Sequence, residues 1–163
     1  MVTPFEVISH SAEFTQRVAQ NISCLFLPGD LILLDGDLGA GKTCFVQGFI
    51  NGLHSTDPVT SPTFSIAHFY RTLHFEILHI DLYRISNMDE FNDLGLVDYF
   101  GQSIVLIEWG IKFATCFEEF FIISFKMNRD NTRFISFSCR GDRYEKILDQ
   151  IINRFQSVEE EVC

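Results

Sequence analysis

A glycine-rich segment, residues 36–43, has the residue types and the spacing needed to bind phosphate groups. Four of its residues fit every fixed position of the pattern G-x-x-x-x-G-K-[ST]: Gly36, Gly41, Lys42 and Thr43. Glycines let the backbone curl so that consecutive N–H groups point inward at an anion. The lysine can then reach the terminal phosphates, and the threonine hydroxyl can take one coordination site of Mg²⁺. This segment therefore predicts a site for a nucleoside triphosphate.

The flanking sequence predicts the strand–loop–helix setting that such a loop requires. Residues 31–34 are a short apolar run typical of a buried strand, and residues 43–53 have helical spacing. The helix would direct its positive N-terminus at the phosphates. The predicted nucleotide-binding residues of the loop are Asp37, Leu38, Gly39, Ala40, Gly41, Lys42 and Thr43.

Two acidic residues follow apolar runs further along the chain. Glu108 ends the run at residues 104–107, and Asp81 ends the run at residues 77–80. Ligands of α/β sheets bind beyond the carboxyl ends of the strands, and phosphoryl transfer uses a carboxylate on Mg²⁺ or on water. Both acids are therefore candidate site residues, with Glu108 the better one. We do not count His79 among them, because a core histidine accounts for it.

The loop at residues 60–64 is a candidate switch. A hydroxyl there could contact the γ-phosphate, so that the loop is ordered with ATP and released afterwards. On its sequence alone, an ordinary turn containing serine and proline is the simpler interpretation.

Length and composition predict one folded domain over residues 1–163. The chain is 47% hydrophobic and contains 18 phenylalanines, which excludes a disordered protein. Its net charge of −10 argues against direct binding to a nucleic-acid backbone and favours a basic protein partner. We find neither a run long enough to span a bilayer nor a secretory signal, and expect a cytoplasmic protein. The acidic tail at residues 157–163 is predicted to be frayed.

Periodicity and turn residues predict the remaining elements. Ser11 is the expected N-cap of the first helix. The predictions are strands at 4–9 and 104–109, a helix at 11–23, antiparallel hairpins at 64–71 with 73–82 and at 119–127 with 132–139, a short helix into residue 99, and a C-terminal helix from 144 to 155.

Four motifs together resemble the TsaE family (formerly YjeE), the bacterial P-loop ATPases of tRNA threonylcarbamoyladenosine biosynthesis. They are the loop at 36–43, Ser-Pro-Thr-Phe at 61–64, His-Ile-Asp-Leu-Tyr-Arg at 79–84 and Ile-Glu-Trp at 107–109. Their order and spacing match that family over roughly residues 5–140, which makes the resemblance more specific than the loop alone.

The resemblance implies a three-layer α/β/α P-loop NTPase fold with a mixed parallel/antiparallel central sheet. It implies ATP and Mg²⁺ as ligands and a weak ATPase activity in isolation. It also implies a complex with the TsaD and TsaB proteins that transfers a threonylcarbamoyl group to the adenosine next to the tRNA anticodon. The ATPase would support turnover of that complex and would meet tRNA only indirectly.

The resemblance also implies roles for individual residues. Thr43 and Glu108 would hold Mg²⁺, and Asp81 would assist the metal or the attacking water. Thr63 would be the switch hydroxyl near the γ-phosphate, and Trp109 would contribute to the nucleotide site beside Glu108.

Three other functions use the same phosphate loop. A small-molecule kinase would need an acceptor pocket and lid arginines; four arginines late in the chain are instead predicted to be solvated or structural: Arg129, Arg133, Arg140 and Arg143. A regulatory GTPase is disfavoured because the chain has no Asn-Lys-x-Asp motif. A nucleotide-gated scaffold would keep its function when Glu108→Gln abolishes hydrolysis.

Overall fold

The computed structural model of this chain describes residues 4–160, and its strands form one seven-stranded sheet. The strand order is β1-β7-β6-β2-β5-β4-β3. In chain order the strands are β1 (Phe5–Ser9), β2 (Leu31–Gly36), β3 (Ala67–Arg71), β4 (Glu76–Asp81), β5 (Ser103–Glu108), β6 (Phe120–Met127) and β7 (Arg133–Arg140).

The helices pack on both faces of this sheet. They are α1 (Ala12–Ser23), α2 (Lys42–Gly52), α3 (Met88–Asp93) and α4 (Asp142–Glu160), with two 3₁₀ helices at Leu96–Gln102 and Gly110–Cys116. In the range that the structure describes, no helix is both long enough and apolar enough to cross a bilayer.

Strand β2 lies at the centre of the sheet and leads directly into the glycine-rich segment. It pairs in parallel with β5 on one side and with β6 on the other. The apolar residues 31–34 are buried, as expected for a strand covered on both faces. Strands β4 and β5 are also parallel, whereas β3–β4, β6–β7 and β1–β7 are antiparallel. The predicted mixed sheet is confirmed.

Two hydrophobic clusters give the molecule three layers. One cluster joins α1, α2 and α4 to the sheet, with Ile22, Phe49 and Ile151 among its buried members. The other cluster lies on the opposite face, where Phe91 of α3 and Phe113 of the second 3₁₀ helix are buried. The predicted α/β/α layering is therefore confirmed.

The predicted first hairpin is correct in its antiparallel pairing but too long. Strand β3 begins at Ala67 and not at residue 64, and β4 begins at Glu76 and not at residue 73. Residues before β3 form a turn instead, because the amides of Ser65 and Ile66 both donate to the carbonyl of Pro62. These hydrogen bonds within the turn thus replace the strand-to-strand hydrogen bonds that the β-type residues favoured.

The ends of two helices test further predictions. Ser11 caps α1 as expected, since its hydroxyl accepts from the amide of Phe14 at 3.0 Å. The C-terminal helix α4 continues to Glu160, so residues 157–160 are helical where we predicted a frayed tail. The rest of that predicted tail, residues 161–163, lies outside the described residues.

Candidate functional site

The loop at residues 36–43, called the glycine loop from here on, connects the end of β2 to the start of α2. Gly36 has φ of 143° and Gly41 has φ of 111°, values that side-chain-bearing residues rarely adopt. A Cβ on Gly36 would also lie 2.6 Å from the carbonyl oxygen of Phe125. The loop can follow this path only because both positions are glycine.

The glycine loop delivers the chain into α2 at Lys42. Amides in the first turn of a helix have no intrahelical acceptor, and the helix dipole adds positive charge there. A Cβ on Gly39 would meet no atom of the described residues within 4 Å, so the backbone at this point is open. The loop and the helix start therefore form a cradle that fits a phosphate group.

The Lys42 side chain is buried and lies across the glycine loop. Its Nζ donates to the carbonyl oxygens of Gly36 and, at 3.0 Å, of Asp37. The same nitrogen lies 4.5 Å from the ring centre of Trp109. Burial lowers the pKa of Lys42, while the charge of Glu108 opposes that shift. The ammonium group of Lys42 is thus held at the loop by carbonyl oxygens. A phosphate oxygen can replace them as its hydrogen-bond acceptor.

The sheet register brings the two candidate carboxyl groups together. Asp81 at the end of β4 lies directly beside Glu108 at the end of β5, and each is only 4% exposed. Asp81 accepts two hydrogen bonds of 2.8 Å, from the hydroxyl of Thr63 and from the amide of Tyr83. The candidate switch loop is therefore tied to a carboxyl group of the site.

His79 lies beside a candidate carboxyl group, although the sequence predicts only a core histidine. Its side chain is completely buried, and its Nε2 lies 2.9 Å from Oε1 of Glu108. Its Nδ1 is buried and has no hydrogen-bond partner among residues 4–160. The sequence contained one signal for this contact, the spacing of His79 and Asp81, because residues i and i+2 of a strand lie on the same face. The histidine is a core residue, as we supposed, but it also fixes the Glu108 carboxyl group.

Most of the candidate residues, though not His79, line one cleft of about 430 Å³, within the range of about 300–1,000 Å³ that is usual for small-molecule sites. The lining residues are Leu38, Gly39, Gly41, Lys42, Thr43, Cys44, Ser61, Thr63, Asp81, Tyr83, Glu108, Trp109 and Arg133. Two residues of the predicted set, Asp37 and Ala40, are not among them and line an adjacent cavity. The roles assigned to the others stay predictions.

The cleft also contains an arginine that we did not expect there. Arg133 at the start of β7 lines the cleft, although it was predicted to be solvated or structural. The predicted structural role does fit Arg143, whose Nε and Nη2 both lie 2.6 Å from the Asp30 carboxylate. The sequence does not distinguish these two arginines, because only the pairing of strands that are distant in the chain brings Arg133 to the cleft.

Two residues beside the cleft have left-handed backbone conformations. Ile66 has φ of 70° and Trp109 has φ of 61°. A β-branched residue such as isoleucine is a genuine outlier there, and such strain costs of order 1–3 kcal/mol. Trp109 packs on Tyr83, with ring centres 5.1 Å apart. Strained backbone thus lies just after the candidate switch loop, at Ile66, and within the Glu-Trp pair, at Trp109.

Comparison with known proteins identifies the family. A family model described as threonylcarbamoyl adenosine biosynthesis protein TsaE matches residues 9–135. This chain belongs to the TsaE family. It is 40% identical to the tRNA threonylcarbamoyladenosine biosynthesis protein TsaE of Bacillus subtilis (strain 168), over 85% of this chain and 88% of that protein. The TsaE protein of Treponema pallidum (strain Nichols) is 34% identical, over 79% of this chain and 96% of its own.

A solved structure confirms the TsaE-family fold. The crystal structure of Bacillus subtilis YdiB superposes with a TM-score of 0.79 at 32% sequence identity. The superposition covers 94% of this chain and 97% of YdiB. The family match at residues 9–135 includes every predicted site residue and also His79 and Arg133. Helix α4 lies beyond it.

The donor set for a divalent cation is small in this TsaE-family chain. Across residues 4–160, no group of three or more His, Cys, Asp or Glu side chains could hold a metal ion. Mg²⁺ in nucleotide sites usually takes one or two protein ligands and completes its shell with phosphates and water. The hydroxyl of Thr43 and the carboxyl group of Glu108, both lining the cleft, fit that requirement.

Proposed function

We propose that this chain is the ATP-binding and ATP-hydrolysing subunit of the bacterial complex that makes threonylcarbamoyladenosine next to the tRNA anticodon. Its nucleotide cycle would support turnover of a transferase formed by TsaD and TsaB. Membership of the TsaE family supports the pathway. One observation supports the chemistry above others: the glycine loop, Lys42 and the paired Asp81 and Glu108 line a single cleft.

In this proposal, the residues of the cleft divide the binding of the phosphates, the metal ion and the attacking water among them. Lys42 and the first-turn amides of α2 bind the phosphates. Thr43 and Glu108 would hold Mg²⁺, which would supply positive charge against the phosphoryl group that is transferred. Glu108 keeps its orientation through the 2.9 Å contact with His79. Asp81 helps to orient the metal or the attacking water.

The contact between Thr63 and Asp81 explains how the switch loop would respond to the nucleotide. In the structure the Thr63 hydroxyl donates to Asp81 at 2.8 Å and lies 2.7 Å from the Ser61 hydroxyl. A γ-phosphate oxygen is a stronger, charged acceptor and would compete for that hydroxyl. The loop would then move with the presence or absence of the γ-phosphate.

The surface around the cleft supports a protein partner. Leu38 and Phe64 are 89% and 87% exposed, and Tyr83 is 62% exposed. Leu38 and Tyr83 line the cleft, and Phe64 follows Thr63 directly. Exposed apolar groups of this size favour a protein contact, whereas the net charge of −10 opposes contact with tRNA phosphates. We therefore propose TsaD and TsaB as direct partners and tRNA as an indirect one.

Steady-state ATP hydrolysis with and without a purified TsaD–TsaB pair tests this function. We expect the pair to raise the rate, and we expect Lys42→Ala to abolish it. Lys146→Ala is the matched control, because Lys146 is exposed on α4. An unchanged rate with the pair present would contradict the assignment, as would phosphate transfer from ATP to a metabolite, the mark of a kinase.

A second measurement separates hydrolysis from simple nucleotide gating. We expect Glu108→Gln to bind ATP but to lose both hydrolysis and multiple-turnover formation of threonylcarbamoyladenosine. If the modified nucleoside still accumulates over many turnovers while hydrolysis is lost, the chain is a nucleotide-gated scaffold and the ATPase proposal is wrong.

A further inference from the structure

We propose that Arg133 is a phosphate-binding residue of the nucleotide site. This inference rests on the proposed function, because it assumes that the cleft takes a nucleotide. Arg133 belongs to β7, on the other side of β2 from the strands that carry Asp81 and Glu108. The cleft would therefore hold its anion between basic groups supplied by separate parts of the sheet.

The Arg133 side chain packs directly on the glycine loop. A Cβ built on Gly41 would lie 3.1 Å from Nε and 3.2 Å from Cδ of Arg133. The positive charge of Arg133 also acts on Cys44, one residue beyond Thr43. Burial raises the pKa of the Cys44 thiol, and the charge of Arg133 offsets part of that rise. The guanidinium group is thus close to the start of α2, where the phosphates are expected.

The guanidinium group of Arg133 has a donor that the described part of the chain leaves unused. Nε of Arg133 is buried, and no group within residues 4–160 accepts a hydrogen bond from it. None of the ion pairs formed within residues 4–160 includes it. Arg143, by contrast, chelates Asp30, and Arg154 donates to the carbonyl of Asn21. A buried N–H group without an acceptor is costly, so a ligand that supplies one is favoured.

The surroundings of Arg133 indicate which kind of ligand would supply the acceptor that its guanidinium group lacks. An arginine presents several N–H groups in a planar fork that matches the oxygens of a phosphate. The glycine loop beside it is built for the same kind of anion. A purely structural role would instead require Arg133 only to pack against Gly41, without any effect on ligand charge.

Calorimetric titration with MgADP and with inorganic pyrophosphate tests the inference without using catalysis. We expect Arg133→Gln to weaken binding of both ligands about tenfold or more, because a charge-assisted hydrogen bond is lost. Arg133→Lys keeps the charge and should bind with intermediate affinity. Arg129→Gln is the matched control, since Arg129 is exposed in the turn before β7.

The outcomes separate this inference from the proposed function. If Arg133→Gln binds both ligands as the wild-type chain does while Lys42→Ala does not, Arg133 is not a phosphate ligand and the nucleotide site stands. If the wild-type chain binds neither ligand, both proposals fail. A structural role predicts that Arg133→Gln and Arg133→Lys lower the melting temperature of the free protein equally and weaken binding equally. That result would also overturn the inference.

Discussion

Replacing His79 and Glu108 by leucine, singly and together, measures how strongly their contact holds the Glu108 carboxyl group in place. The two side chains are 0% and 6% exposed, and their polar atoms lie 2.9 Å apart. Each single replacement leaves the other residue buried without this partner. The double replacement removes both polar groups at once, so its cost should be far below the sum of the single costs.

The expected size follows from counting unpaired buried atoms, each of which costs about 1–3 kcal/mol. Glu108→Leu leaves Nε2 of His79 unpaired, and His79→Leu leaves Oε1 of Glu108 unpaired. Among the residues that the structure describes, the Nδ1 atom of His79 already lacks a partner, and its removal contributes equally to His79→Leu and to the double variant. That contribution therefore cancels in the cycle. The coupling free energy should reach about 2 kcal/mol, even with the lower cost for each atom.

Urea unfolding of the nucleotide-free chain provides the assay. The fluorescence of Trp109, the only tryptophan, reports on the neighbourhood of Glu108 directly. All four proteins should unfold with the same dependence on urea, so that their free energies can be compared. Additivity of the two single replacements within about 0.5 kcal/mol would refute the reasoning, because it is the behaviour of independent sites.

Two further replacements test the packing that supports the site. Gly48→Ala should destabilise the chain by about 3 kcal/mol in urea unfolding, because the new Cβ would lie 2.6 Å from the Cα of Gln16 and force α1 away from α2. Arg143→Met should cost about 1–3 kcal/mol in the same assay, since it leaves the buried carboxylate of Asp30 without its guanidinium partner. The latter figure is below that of a fully buried pair because Arg143 is 43% exposed.

Matched variants control both experiments. A Cβ on Gly101 would meet no atom of residues 4–160 within 4 Å, so Gly101→Ala should change stability by less than about 0.5 kcal/mol. Arg140 stacks on Phe120 and forms no ion pair within the described residues, which makes Arg140→Met the control for Arg143→Met. Equal effects of Gly48→Ala and Gly101→Ala would contradict the close approach of the helices. A silent Arg143→Met would contradict the importance of the buried pair.

The sequence by itself determined the glycine loop and the elements on either side of it. A strand, a phosphate-type loop and a helix follow one another within a short stretch, so neighbouring residues carry the whole signal. The end of an apolar run also located Asp81 and Glu108 at strand ends, because burial on both faces of a strand leaves its polar residues to the termini. The mixed sheet and its three layers came from the resemblance of four motifs to one family, and the structure confirms them.

Only the tertiary structure decided which distant residues meet. Asp81 and Glu108 become neighbours through the register of β4 with β5, and Arg133 reaches the glycine loop because β7 lies beside β6 in the sheet. His79 has the periodicity of a core residue, and only its contact with Glu108 gives it a place in the site. Helical and strand periodicity depend on neighbours in the chain, whereas register and side-chain pairing depend on backbone hydrogen bonds between segments that are far apart in it.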